Sequence, residues 1–171
     1  CLDTLYQSER PFPTFAGGAA GIGWTLEHAS QFGFLDIDTD EVLSQLDDFL
    51  GNYMLAEMDR GNYDYLHGGL GNALYLINRN DKTAARQFLP RVLDALESSA
   101  IEDEHGLKWD TFSKGELEIG NYNLGLSHGI PSIMGIMARM VAADIEAERA
   151  RKLLDGATGF VLASQRDVSK A

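Results

Sequence analysis

Three times in this chain a loop of small residues runs straight into an apolar segment, and that recurrence limits the fold more than any other feature. The copies are Phe15-Ala-Gly17-Gly18-Ala-Ala-Gly21-Ile-Gly23-Trp24, Asp64-Tyr-Leu-His67-Gly68-Gly69-Leu-Gly71, and Asn121-Tyr-Asn-Leu-Gly-Leu-Ser-His128-Gly129-Ile-Pro131. Gly21, Gly71 and Gly129 open the apolar segments, at separations of 50 and 58 residues. A fixed period of this size marks a repeat architecture, in which each unit buries its apolar face against its neighbours.

Amphipathic helices are predicted between the copies. Asp38-Thr39-Asp40-Glu41 combines an N-cap with acidic first-turn residues. Val42, Leu43, Leu46, Phe49, Leu50, Tyr53 and Met54 then recur at spacings of three and four, predicting a helix to about Met58 with Gly61-Asn62 as its stop. Asp81 is expected to cap a second helix, with Phe88, Leu89, Val92, Leu93 and Leu96 on its buried stripe and Pro90 kinking or splitting it. A third runs from Asp144 to about Arg166, weakened by Gly156 and Gly159. Residues 1 to 14 read as an irregular lead-in. The connector from Ile101 to Gly120 has no helical period, and its Gly106-Leu-Lys-Trp-Asp-Thr-Phe112 piece is a candidate short hairpin.

Segments apolar nearly all round belong inside and amphipathic ones outside. The expected fold class is therefore all-α: an α/α toroid, a ring of helical hairpins with its glycine loops gathered at one end. Residues 1 to 171 read as one domain, a partial ring of about three hairpins plus a fourth outer helix.

Charge narrows the partners. A net charge of −12 argues against nucleic acid, whose phosphates need a basic face. No stretch approaches the roughly 20 apolar residues of a membrane span. One cysteine, Cys1, excludes an internal disulfide and fits a reducing cytoplasm. The missing initiator Met and the abrupt Asp-Val-Ser-Lys-Ala end predict a piece of a longer protein.

A lone histidine beside an apolar helix is ordinarily a packed or capping residue. His128 differs because Gly125 and Gly129 flank it and Pro131 suits a first helical turn. It should project from a loop-to-helix junction. Asp64, ahead of the second apolar segment, is either a helix cap or a partner for His128 at the same end of the ring; the expectation is that the two face one site. His67 and Tyr122 are candidate substrate contacts, and Trp109 and Tyr63 are further aromatic candidates at the glycine end. His28 is assigned to packing or surface, and His105 to a solvated turn. Trp24, Tyr75, Met134, Met137 and Met140 go to the core. Asp110, Glu116 and Glu118 read as a solvated acidic connector.

The three copies together, above all Asn123-Leu-Gly-Leu-Ser-His128-Gly129-Ile, resemble the lanthionine synthetase C-like family, the cyclases that close thioether rings in lanthipeptides. The resemblance runs from about Phe15 to Arg166 and corresponds to the front and middle of that family's fold. It implies a cyclase that adds a peptide cysteine thiol to a dehydroalanine or dehydrobutyrine. The partner is then a dehydrated precursor peptide, with a dehydratase as a further candidate partner. His128 matches the family's acid–base histidine and Asp64 its motif aspartate. The family also implies zinc, held by two cysteines and a histidine. Nothing here matches those motifs, so the zinc ligands are expected outside this chain. The isolated chain is expected to bind no stoichiometric zinc, to lack cyclase activity and to self-associate through uncovered apolar flanks. Two alternatives stand beside this reading: a non-catalytic peptide- or thiol-binding ring, and another α/α-toroid enzyme such as a glycoside hydrolase using Asp64, Asp110 or Glu118.

Overall fold

The computed structural model describes residues 12–165. Cys1, most of the lead-in and the expected helix end at Arg166 lie outside them. Six helices stand among the described residues: α1 (Ala19–Gln31), α2 (Thr39–Asp59), α3 (Gly69–Asn78), α4 (Thr83–Ser99), α5 (Ile130–Ala142) and α6 (Ala147–Ala163). They form three hairpins in which α1, α3 and α5 are inner and α2, α4 and α6 outer. The fold is all-α, an open arc of a toroid; no fourth outer helix stands among the described residues. None of these helices is long and apolar enough to cross a membrane.

The inner helices pack side by side, α1 on α3 and α3 on α5. That order explains why α3 is buried from Gly69 through Ile77. It has an inner helix on each side and the outer helices α2 and α4 behind it. The outer helices bury one stripe each, such as Leu43, Leu46, Leu50 and Met54 on α2 and Phe88, Leu89, Val92, Leu93 and Leu96 on α4. Phe49, read as part of the α2 stripe, is 40% exposed. Asp38 caps α2 as its sequence predicts, accepting from the N–H groups of Asp40 and Glu41 at 3.0 and 3.1 Å.

Pro90 does not split α4, which runs unbroken through it. The carbonyl deprived of a partner belongs to Arg86, an exposed residue, so the missing bond falls on the solvent side of the helix. The cap differs by one residue. Lys82 is the N-cap, while Asp81 accepts from the Thr83 N–H and hydroxyl at 2.9 and 2.7 Å.

The connector holds two antiparallel hairpins that the sequence barely announces. β1 (Ile101–Asp103) pairs with β2 (Gly106–Lys108), and β3 (Thr111–Ser113) with β4 (Glu116–Glu118). The Gly106–Phe112 piece therefore does not fold on itself, because its two halves pair with strands on either side. Gly156, expected to weaken α6, is where the first hairpin docks. A Cβ there would lie 2.5 Å from Leu107, and one on Gly106 (φ +127) would lie 2.2 Å from the Gly156 carbonyl oxygen. These glycines let hairpin and helix touch backbone to backbone.

At the C-terminal ends of the inner helices, Arg79 ties three helices together. Its guanidinium pairs with Glu27 of α1 and with Asp40 and Asp47 of α2, the last two at 3.1 Å. The Tyr75 hydroxyl donates to Asp47 at 2.6 Å. Burial, then the hydrogen bond to Asp47 and its charge, push the Tyr75 phenol far above its ordinary value.

Candidate functional site

The opposite ends of the inner helices are built from one turn used three times. Gly18, Gly68 and Gly129 are the N-caps of α1, α3 and α5, all in extended backbone. In each copy the N–H after the cap donates to the carbonyl six residues before it: Ala19 to Phe12, Gly69 to Asn62 and Ile130 to Asn123, at 2.7, 3.0 and 2.9 Å. A Cβ on any of the three caps would fall within 2.6 Å of a backbone oxygen in that turn. Glycine is required there by close approach.

This geometry corrects the repeat register. Gly129 is equivalent to Gly18 and Gly68, not to Gly21 and Gly71, whose counterpart is Ser132. The first two helix-opening glycines sit one turn inside their helices, so the separations between equivalent caps are 50 and 61 residues. His128 then matches His67, each one residue before its cap. Asp64 matches Gly125, and Asn62 matches Asn123. The two asparagines also form the same side-chain turn, with Oδ1 accepting from the N–H of Asp64 at 3.3 Å and of Gly125 at 2.7 Å. The shared pattern Asn-x-x-x-x-His-Gly was the sequence signal that reveals this register. Asp64 and His128 do not occupy matching places in the repeat.

They meet because neighbouring loops lie side by side. Ala16 donates to Leu66 at 2.9 Å and Tyr65 to Ser127 at 3.1 Å, stitching loop one to loop two and loop two to loop three. Across the second seam, His128 Nδ1 is hydrogen-bonded to Asp64 Oδ2. Asp64 Oδ1 is used locally, accepting from the N–H groups of Leu66 and His67 at 2.8 Å each. One carboxylate oxygen thus shapes its own loop and the other orients an imidazole from the next. Asp64 does not cap α3, whose cap is Gly68. A carboxylate oxygen facing Nδ1 accepts a proton held there, which in the neutral imidazole leaves the lone pair on Nε2. The Asp64 side chain is 13% exposed and that of His128 49%.

Both residues line a cleft of about 440 Å³, with Asn62, His67 and Asn123 from the loops and Thr111, Phe112, Ser113 and Lys114 from the β3–β4 hairpin. Sequence reading had anticipated Asp64, His67 and His128. It missed the asparagines and the whole hairpin wall, whose strands are too short to show an alternating pattern. Asp64 is the only carboxylate in this lining. Asp110 accepts from the Gly120 N–H at 2.8 Å, and Glu118 from the Asn121 amide at 2.5 Å.

Other candidates fall elsewhere. Trp109 is buried and donates its indole N–H to the Leu96 carbonyl at 2.9 Å. Tyr63 is buried beside it, its hydroxyl 3.4 Å from the Trp109 carbonyl, and burial chiefly pushes its phenol up to about 12. Both are packed on the core and neither lines the cleft. Tyr122 is half-buried, edge-on to Phe160 at 5.8 Å and under the Lys108 ammonium at 4.8 Å, outside the cleft lining. His28 packs between Trp24 and Phe32, and His105 sits exposed in the β1–β2 turn. Tyr75, Met137 and Met140 are core residues; Trp24 and Met134 are half-buried against it.

Among the described residues no three His, Cys, Asp or Glu side chains converge as metal ligands would. The Asp64 carboxylate is taken up by the Leu66 and His67 N–H groups and by His128 Nδ1, so the cleft assembles no three-ligand zinc site. Over residues 1–170 the chain matches the family model described as lanthionine synthetase C-like protein. No curated protein and no solved structure matches it.

Proposed function

The chain belongs to the lanthionine synthetase C-like family, and from that premise we propose that it takes part in closing thioether rings, with His128 as the acid–base group and Asp64 as its orienting partner. The observation that carries this reading is the hydrogen bond between His128 Nδ1 and Asp64 Oδ2, which leaves Nε2 for the cleft. The substrate is a peptide with a cysteine and a dehydroalanine or dehydrobutyrine.

The addition is proton-neutral. The thiol loses its proton, sulfur bonds to the β-carbon, and the π electrons of the double bond pass into an enolate. A proton then arrives at the α-carbon. His128 Nε2 takes the thiol proton and returns one to the α-carbon. Asp64 keeps the ring in the tautomer that exposes a basic Nε2, and its charge stabilises the imidazolium between the two transfers. His67, beside the dyad in the cleft lining, is a substrate contact in this reading. The family is associated with zinc, which would lower the thiol's pKa. Ligands for it do not assemble among residues 12–165, and no step here uses it.

The test is to incubate the full-length protein, supplied with zinc, with a dehydrated peptide and follow loss of alkylatable thiol at unchanged peptide mass. His128→Ala should slow ring closure by about two to four orders of magnitude, the usual worth of a positioned acid–base group, with helical content unchanged. Ring closure at the parent rate would make His128 a structural residue. Peptide binding without ring closure by the parent would favour a non-catalytic binding ring.

A further inference from the structure

We propose that the β3–β4 hairpin is the peptide-docking wall of the cleft, receiving an extended acidic segment whose carboxylate sits on the ammonium of Lys114. This rests on the reading of the substrate as a peptide and names which peptides the site prefers. The cleft runs along one edge of the hairpin, since its lining takes Thr111, Phe112, Ser113 and Lys114 but nothing from β4. That edge is open. Ser113 and Glu116 flank a two-residue turn and so form the hydrogen-bonded pair of the ladder. Phe112, in the next pair, points its N–H and C=O away from β4. An extended chain laid beside it would find one donor and one acceptor at strand spacing.

The wall is held in place. The Arg60 guanidinium lies over the Phe112 ring at 5.6 Å and is itself paired with Glu57 at 2.9 Å. At the foot of β3, the Thr111 hydroxyl donates to the Asn121 carbonyl at 2.7 Å and accepts from the Asn123 N–H at 2.9 Å. Hairpin and third glycine loop are therefore joined, and the wall keeps its position relative to His128.

Lys114 stands at the tip with φ +51, followed by Gly115 at φ +92. Asn, Asp or Gly would adopt the left-handed conformation at less cost. What lysine adds is a charge. It is the only Lys or Arg in the cleft lining, and no carboxylate among the described residues pairs with it. On a chain of net charge −12, that cation marks where the cleft admits an anion. An ammonium on a flexible stem is a point charge and asks only for a carboxylate within reach.

The test uses a short labelled peptide with one cysteine and one undehydrated serine, so that binding is read without turnover. Two versions differ only in a Glu or a Gln beside the serine. By fluorescence anisotropy the protein should bind the Glu version about three- to fivefold more tightly, the upper range for an exposed ion pair. Lys114→Asn, which keeps a residue tolerant of the left-handed turn, should erase the preference, chiefly by weakening binding of the Glu peptide. Lys114→Arg should restore it. Equal binding of both peptides by the parent, no binding of either, or a preference that survives Lys114→Asn would each overturn the proposal. Dehydrated versions separate the two readings. A Lys114-dependent preference without ring closure would sink the catalytic reading alone. Ring closure with equal KM for both peptides would sink the docking wall alone.

Discussion

At each end of the inner helices a carboxylate is bound to a basic side chain, and the contrast between the two separates a sealed pair from an open one. At the C-terminal end the Arg79 side chain is 1% exposed, its partner Glu27 0%, and further oxygens from Asp40 and Asp47 surround the guanidinium. At the N-terminal end the His128 side chain is 49% exposed, with one ring nitrogen bound and the other free. Arg79 has no capacity left for a ligand, and its cluster joins α1, α2 and α3. His128 is oriented but unsaturated. The difference lies in what surrounds each pair: helix sides enclose the first, whereas open loops and a small hairpin border the second.

The largest effect should come from breaking the sealed end. Arg79→Met leaves the buried Glu27 and the half-buried Asp47 without their countercharge and should cost about 3–5 kcal/mol of stability, read as a lower urea midpoint. The fraction still folded should retain its activity. A stable Arg79→Met protein would mean that the cluster does not join the helices as described. A smaller effect of opposite character is expected at the other end. Asp64→Asn keeps an oxygen for the Leu66 and His67 N–H groups, so stability should shift by less than about 1 kcal/mol. Losing the charge that orients His128 should slow ring closure about ten- to a hundredfold, as expected for a hydrogen bond to a charged group. A large melting shift with normal turnover would return Asp64 to a purely local role.

The same contrast shows what the sequence reveals. The three hairpins and the Asp38 cap are legible because each rests on local pattern; the repeat also puts Asp64 and His128 at one end of the helices, but their contact comes from neighbouring loops lying side by side, not from matching places. The third repeat's register is harder to see because Ser132 stands where Gly21 and Gly71 stand. The better guide is Asn62 and Asn123, each five residues before a His-Gly. The burial of Trp109 and Tyr63 is set by long-range packing, namely the connector folding over α4 so that an indole reaches the Leu96 carbonyl. Three-residue strands carry no period, so Lys114 and the hairpin wall appear only in three dimensions. Arg79 reads as an ordinary residue past a helix end until Glu27 and Asp47 are seen beside it.

The central claim is that His128 delivers a proton to one face of the enolate. Ring closure in D2O, followed by hydrolysis and chiral analysis of the thioether amino acid, tests it most directly. The parent should place one deuteron on the α-carbon in a single configuration. The slow residual product of His128→Ala, protonated by solvent, should carry a mixture of configurations. A single configuration formed at the parent rate by His128→Ala would contradict the account.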